Sequence, residues 1–292
     1  MKGSLCVFGE VLFDEFPGGS QVLGGAPFNV AWHLQAFGER PWFVSRVGDD
    51  AAGAAVRSAM EGWGMDTSGL QTDSVLPTGR VRVNFEGGEP RYEIVHPAAW
   101  DAIAAPRPLP QIGLLYHGSL ALREPASAAA LETILASAPY QVFLDVNLRP
   151  PWWRRENLLS FLRRVDWVKL NQNELEQLHP GLRSDAAQAR SFLAAYDLKG
   201  LVVTHGASGA EVLTAAGQRE TVEPGREVGV VDTVGAGDAF AAVMMLGLLR
   251  DWPLGTTLQR AQGFASCIVG VRGTTVFDPV FYRDFLADWD ID

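Results

Sequence analysis

Val230–Leu249 reads VVDTVGAGDAFAAVMMLGLL, and the other suggestive residues of the chain make chemical sense only relative to it. Glu227–Asp232 (EVGVVD) has the pattern of the end of a short strand. Gly235-Ala236-Gly237 is a tight turn of small residues, and Ala239–Leu249 then runs apolar on every face, as a helix buried in a large core does. A strand, a glycine turn and a buried helix in succession aim unpaired backbone N–H groups, with the positive end of the helix dipole, at one point. Such a point binds anions, phosphate above all. Asp238 stands in the first helical turn, where a carboxylate repels the anion that the site attracts. An acid there is favourable in its own right as a partner of the dipole. The small residues ahead of it and the buried helix behind it favour a second role, that of a base beside a transferring phosphoryl group.

Two better-known glycine loops are excluded. The Walker loop ends in Gly-Lys-Ser/Thr, and no Gly-Lys pair occurs in the chain. The dinucleotide fingerprint needs a third glycine where Phe240 stands.

Composition sets the frame. The 292 residues suffice for one large α/β domain or two small ones, either with a sizeable core, and the chain is read as a single domain over 1–292. A net charge of −10 and a pI near 5.0 argue against nucleic acid or an anionic membrane as the main partner. They do not oppose a small phosphate ligand, because backbone dipoles act locally. Cys6 and Cys267 lie far apart without metal-ligand spacing and read as buried thiols, which suits a reducing cytoplasm. The first residues carry one Lys, a short apolar run and then Glu10 and Asp14, which is no signal-peptide pattern. The longest apolar stretch, near 239–249, is too short to span a bilayer.

Along the chain, Leu5–Phe8 is a buried-strand candidate, and Pro27 and Gly38 bracket a helix near Ala26–Phe37 with Asn29 in its first turn. Ala51–Glu61 reads as a second, amphipathic helix. Within Thr78–His96, Val81, Val83 and Phe85 alternate with polar residues, Gly87-Gly88 turns, and Tyr92, Ile94 and His96 alternate again. This predicts a hairpin with one apolar face, which must cover a cleft or a second copy of the chain, since a lone hairpin is marginal in water. From Ile112 onward, strands at Gly113–Tyr116, Gln141–Leu144, Trp167–Leu170 and Leu201–Thr204 alternate with helices. The helices are expected at Pro125–Ser137, Glu156–Arg164, Asn173–Leu178, Asp185–Tyr196 and Leu258–Val271. That alternation predicts a mostly parallel sheet with helices on both faces, and ligands of such sheets bind beyond the carboxyl ends of the strands. DVNLR (145–149), KLNQNE (169–174), THG (204–206) and GAGD (235–238) fall there.

Several of these residues have two readings. Asn171 and Glu174 form either a helix cap with a first-turn acid or a pair facing one ligand. Thr204, Gly206 and Gly209 form either a plain turn or a loop through which backbone approaches nucleotide phosphates. Asp14, taken alone, reads as a turn residue before Pro17-Gly18. Arg149, at its strand end, makes either a surface ion pair or a substrate contact, and Arg91 on the hairpin is a weaker candidate of the same kind.

DTVGAGDAF (232–240) resembles the C-terminal signature of the ribokinase-like (PfkB) carbohydrate kinases, and GGAPFNVAWHLQAFG (24–38) is similar to their N-terminal one. DVNLR, KLNQNE and VTHGASGA (203–210) resemble internal motifs of that family in the expected order, so the resemblance spans nearly the whole chain. It is greatest to the fructokinase-type branch. It implies a three-layer α/β/α fold with a small β lid, formed by segments near 11–23 and 78–97, that covers the sugar and often mediates dimerisation. It implies transfer of the γ-phosphoryl group of ATP, with Mg²⁺, to a sugar's primary hydroxyl. Fructose comes first, a 2-keto-3-deoxy sugar acid second and a nucleoside third. Asp238 becomes the base, and the N–H groups of Gly235, Ala236 and Gly237 the anion hole. Asp14, Gly24, Gly25 and Asn29 match the sugar-binding set, with Arg149 and Arg91 as further substrate contacts. Asn171 and Glu174 move toward Mg²⁺–phosphate binding, Glu174 through water. Thr204, Gly206 and Gly209 move toward the nucleotide. Asp232, with carbonyls of Val234 and Gly273, resembles a monovalent-cation site for K⁺, although Val234 stands where many relatives carry a hydroxyl. Two readings from other classes remain: a kinase-fold sensor without turnover, although such a protein is free to lose Asp238, and a nicotinamide-dependent oxidoreductase, which shares the layered fold but whose fingerprint is absent here. The histidines and tryptophans show no catalytic spacing and are expected in packing.

Overall fold

The computed structural model describes residues 3–86, 89–181, 185–224, 234–271 and 273–291. The strands are β1 (Ser4–Phe8), β2 (Leu12–Glu15), β3 (Gln21–Gly24), β4 (Trp42–Gly48), β5 (Leu70–Asp73), β6 (Gly79–Glu86), β7 (Glu89–Ile94), β8 (Ile112–His117), β9 (Gln141–Asp145), β10 (Trp167–Asn171), β11 (Gly200–Thr204), β12 (Ala210–Thr214) and β13 (Arg219–Val222). The helices are α1 (Ala26–Ala36), α2 (Ala51–Gly62), α3 (Pro125–Ala136), α4 (Arg155–Leu162), α5 (Gln172–Leu178), α6 (Asp185–Ala195), α7 (Ala236–Leu249), α8 (Leu254–Val269) and α9 (Pro279–Asp288).

Side-chain alternation on continuous apolar strands produces the layers. In β1, Leu5 and Val7 enter one core while Cys6 and Phe8 enter the other. The first core holds α1, α2, α7, α8 and α9; the second holds α3, α4, α5 and α6. Between them lies a nine-stranded sheet in the order β13-β12-β11-β10-β9-β8-β1-β4-β5. It is parallel except at the β11–β12–β13 edge. This is the expected three-layer α/β/α architecture. A separate four-stranded sheet, β3-β2-β6-β7, is built from the segments expected to form the lid. Its β2 runs parallel to β6, and Val81 and Val83 of β6 are buried. No helix among the described residues is long and apolar enough to cross a membrane.

The structure also corrects details. Ala236 and Gly237 belong to the first turn of α7 and not to a separate turn, because Gly235 alone reverses the chain at φ 83°. α8 begins at Leu254, directly after Pro253, and ends at Val269; α4 starts at Arg155 and closes at Leu162. β7 stops at Ile94, and His96 instead bonds Glu124 with its ring against Trp152. Pro97 has no N–H to continue the ladder. Cys267 is only partly buried, whereas Cys6 is fully so. β4, β5, β12, β13 and α9 are additions to the elements read from the sequence. The expected strand at Glu227–Asp232 and the turn at Gly87-Gly88 lie outside the described residues.

Candidate functional site

Two helices begin on glycine without a side-chain cap, and their first turns meet. α1 starts after Gly25 and α7 after Gly235, and no side chain caps either N-terminus. Gly25 has φ 111°, and a Cβ there would lie 2.7 Å from the Glu10 carbonyl oxygen. Gly235 has φ 83°, and a Cβ there would lie 2.5 Å from Thr274 Cγ2. Only glycine combines that backbone with that proximity. By contrast, α2, α5 and α9 are capped by Asp50, Asn171 and Asp278.

At the junction, Asn29 Nδ2 donates to Asp238 Oδ2 at 2.7 Å, and the Thr274 hydroxyl donates to Asn29 Oδ1 at 2.9 Å. A methyl group built on Gly24 would lie 3.2 Å from Thr274 Oγ1, 3.6 Å from Asn29 Oδ1 and 3.8 Å from Asp14 Oδ2. The lid strands β2 and β3 therefore bring Asp14 and Gly24 to the helix tips. Burial pushes the Asp238 carboxyl up to about 6; the Asn29 bond, Lys169 and Arg149 oppose the rise, and the charge of Asp145 adds to it. A carboxylate poised there is matched to accepting a proton near neutral pH.

The floor of the site is charged and buried. Lys169 Nζ donates to both oxygens of Asp145, at 2.9 and 2.8 Å, and lies 3.5 Å from a Cβ built on Gly237. Burial works against the Lys169 ammonium, but Asp145 beside it, with Asp238 and Glu174, holds its pKa above the ordinary value. Glu10, 3% exposed, has one carboxyl oxygen without a hydrogen-bond partner. Burial raises its pKa to about 7, with Asp238 adding to the rise and Arg149 and Arg123 opposing it.

Asn171 and Glu174 form a reciprocal capping box at the start of α5. Asn171 Oδ1 accepts from Glu174 N, and Glu174 Oε2 accepts from Asn171 N. Glu174 Oε1 also accepts from Leu148 N at 2.7 Å, which ties KLNQNE to DVNLR. The helix-cap reading is thus present in the geometry, whatever else the pair does. Arg149 is exposed on the same loop and acts on Asp238 and Glu10 through its charge. Thr204 ends β11, and its hydroxyl faces the Leu170 carbonyl at 3.5 Å; Gly206 and Gly209 bound the short turn beyond it. Arg91 lies apart, on the lid, lining a cavity of about 320 Å³ with Tyr92, Pro150 and Trp152.

The structure therefore gathers Asp14, Gly24, Gly25, Asn29, Gly235, Ala236, Gly237 and Asp238, with Arg149 near by in charge. It sets Asn171 and Glu174, and Thr204, Gly206 and Gly209, at neighbouring strand ends, and leaves Arg91 on the lid. Val234 precedes Gly235, and Gly273 precedes Thr274, which touches Gly235; Asp232 lies outside the described residues. Among the described residues no group of three or more His, Cys, Asp and Glu could hold a metal. His33 and His117 are buried, with pKa values lowered by that burial to about 3 and 4, and serve packing. Sequence reasoning gave no role to Lys169, Asp145, Glu10 or Thr274. A lysine inside the apolar run WVKL was a usable signal for the first pair, since such a charge is buried only when paired. Nothing local marks Thr274.

The fructokinase of Klebsiella pneumoniae is 33% identical over 266 residues, which cover 85% of this chain and 85% of that protein. Aminoimidazole riboside kinase of Salmonella typhimurium is 32% identical over 240 residues, 78% of this chain and 74% of that protein. The crystal structure of fructokinase from Vibrio cholerae O395 in fructose, ADP and calcium ion bound form matches with a TM-score of 0.80 at 25% identity, over 96% of this chain and 98% of that one. A sequence profile of the pfkB family carbohydrate kinases matches residues 8–280, and the chain belongs to that family.

Proposed function

We propose that this sugar kinase transfers the γ-phosphoryl group of ATP to a primary hydroxyl of fructose. The observation that carries the reading is Asp238, buried in the uncapped first turn of α7 and held by Asn29 at 2.7 Å. Asp238 accepts the proton of the sugar hydroxyl as its oxygen attacks the γ-phosphorus. The N–H groups of Gly235, Ala236 and Gly237 stabilise the charge that builds on the transferred group. Asp14, Gly24, Gly25 and Asn29 hold the sugar, with Arg149 at the rim, while Arg91 and the lid close over it and exclude water. Thr204, Gly206 and Gly209 pass backbone close to the nucleotide phosphates; a Cβ at Gly206 would meet nothing within 4 Å, so the loop has room for a ligand there.

The donor set also fits Mg²⁺ held through water. Both Glu174 oxygens already accept a backbone N–H, which leaves lone pairs for a hydrated ion and disfavours direct ligation. When bound, Mg²⁺ neutralises charge on the β- and γ-phosphates. A K⁺ site at Asp232 with the Val234 and Gly273 carbonyls belongs to the same reading; equal rates in potassium and in a bulky organic cation would remove it. The relatives named for fructose and for a riboside favour a neutral acceptor over a sugar acid. Cytoplasmic location and pairing of two copies through the lid complete the proposal.

The test is ADP release over fructose, other ketoses, aldoses, a 2-keto-3-deoxy sugar acid and a riboside, run in parallel with Asp238→Asn. Fructose should give the highest kcat/KM, and Asp238→Asn should lower kcat by about 10²–10⁴. Near-normal turnover in that variant removes Asp238 from the chemistry. Tight sugar binding without turnover in the unmodified protein identifies a sensor instead.

A further inference from the structure

The loop that follows α8 is a clasp on the site. The Thr275 hydroxyl bonds the Leu23 carbonyl of β3 at 3.2 Å, and Trp32 Nε1 of α1 donates to the Val276 carbonyl at 3.0 Å. Between these anchors and Gly273 sits Thr274, 2% exposed, with its two side-chain arms engaged on different elements. Its hydroxyl donates to Asn29 Oδ1 at 2.9 Å. Its methyl occupies the space beside Gly235, 2.5 Å from where a Cβ would stand.

We propose that Thr274 is a positioning residue that couples the base to the anion-binding turn, its hydroxyl setting the Asn29 carboxamide toward Asp238 and its methyl seating Gly235. The inference rests on the reading of Asp238 as the base. A carboxamide can turn over and exchange its oxygen for its nitrogen. Turned over, Asn29 would present an acceptor to an ionised carboxylate, which offers only acceptors. The carboxylate thus fixes which end of the amide faces it, and the Thr274 hydroxyl, able to donate or to accept, donates to the Oδ1 left on the other side and keeps it paired. Without that donor a buried carbonyl oxygen is left unpaired, and the side chain gains by rotating away. Asp238 would then lose the bond that orients it and that offsets its burial. The charged and titratable groups facing Asp238 are Asp145 of β9, Lys169 of β10, Arg149 on the loop after β9, Glu10 after β1, and Tyr116 of β8, whose phenol is kept neutral by burial and by these acids. All stay in place when Thr274 is changed, so a movement of the pH profile reports on the Asn29 bond.

Thr274→Val keeps the shape and deletes the hydroxyl, whereas Thr274→Ser keeps the hydroxyl and deletes the methyl. In steady-state assays, Thr274→Val should lower kcat about 10–100-fold, as small misplacements of catalytic groups do, with KM for the sugar changed less than about threefold. The acid limb of its kcat profile should move to higher pH. Thr274→Ser should recover most of the turnover and the original limb. In an Asn29→Ala background, Thr274→Val should cost nothing further. If Val does not fold stably, the comparison of Thr274→Ala with Thr274→Ser isolates the hydroxyl, since both lack the methyl. Unchanged kcat in Thr274→Val, an unmoved acid limb, or a Ser variant as impaired as Val would each overturn the proposal. Asp238→Asn, assayed alongside, separates the two readings. If it retains turnover the base assignment fails; if it is inactive while Thr274→Val behaves as the unmodified protein, only the role of Thr274 fails.

Discussion

Asn29 Nδ2 stands 2.7 Å from Asp238 Oδ2 across a sequence separation of 209 residues, so one charge-assisted bond joins the first turns of α1 and α7. Both turns follow a glycine at positive φ, and neither has a side-chain cap. The free N–H groups of two helices thus flank one carboxylate, and the arrangement both attracts an anion and keeps a base beside it.

The pH dependence follows from burial. Asp238 must be ionised to accept a proton, so kcat/KM should rise through about pH 6 and level off above it, as an initial-rate profile will show. Stability should run the other way. A carboxyl whose pKa is raised by folding contributes stability below its unfolded value, and loses it as pH rises through the folded value. That window closes near 6 for Asp238 and near 7 for Glu10. Asp238→Asn and Glu10→Gln should therefore each gain on the order of 1 kcal/mol over the unmodified protein at pH 8, and much less at pH 4. A melting-temperature difference that does not grow with pH contradicts this.

Gly235→Ala should cost both stability and turnover. The added methyl meets Thr274 and must adopt φ 83°. The backbone term alone is roughly 1–2 kcal/mol, with the contact in addition. Urea denaturation and kcat together should show loss; a variant with normal values for both would mean that the turn adjusts freely.

Lys169→Met leaves Asp145 buried without a counter-charge and should destabilise by about 3–5 kcal/mol. Adding Asp145→Asn should restore a large part of it, because the orphaned charge is then gone. Chemical denaturation of the two single variants and the double variant measures the coupling. Additive losses would show that the pair does not act as a unit.

At the start of α5 the structural and cofactor roles of Glu174 are separable. Asn171→Ala removes one cap bond and should cost about 1 kcal/mol. Glu174→Gln keeps an acceptor for Leu148 N but loses the charge, so it should stay folded while needing several-fold more Mg²⁺ for half-maximal rate. A magnesium titration that matches the unmodified protein assigns Glu174 to capping alone.

The layers were legible because burial on both faces writes a simple pattern, and Leu5–Phe8 shows it without interruption. β4 was not, since Ser45 and Arg46 break its apolar run, and Arg46 is accommodated by Asp73 on the neighbouring strand, at 2.9 Å, and by the Ala102 carbonyl, at 2.8 Å. β12 was obscured by Glu211, which is buried because Arg219 reaches it from β13. In each case a charge on the neighbouring strand licenses a local exception. In the site, DTVGAGDAF exposed Asp238 and its turn, whereas the double role of Asn29 toward Asp238 and Thr274 had no local trace.

The linear order of residues alone determined the layered architecture, the all-round burial of α7 and the acid in its first turn, since periodicity and glycine placement act over a few neighbouring positions. Tertiary structure alone decided that Thr274, Asn29 and Asp238 form one chain of bonds and that Lys169 shields Asp145. Hydrogen bonds reach only about 3 Å, and residues separated by 209 and 245 positions come within that reach only after the sheet has carried both helix tips to one edge.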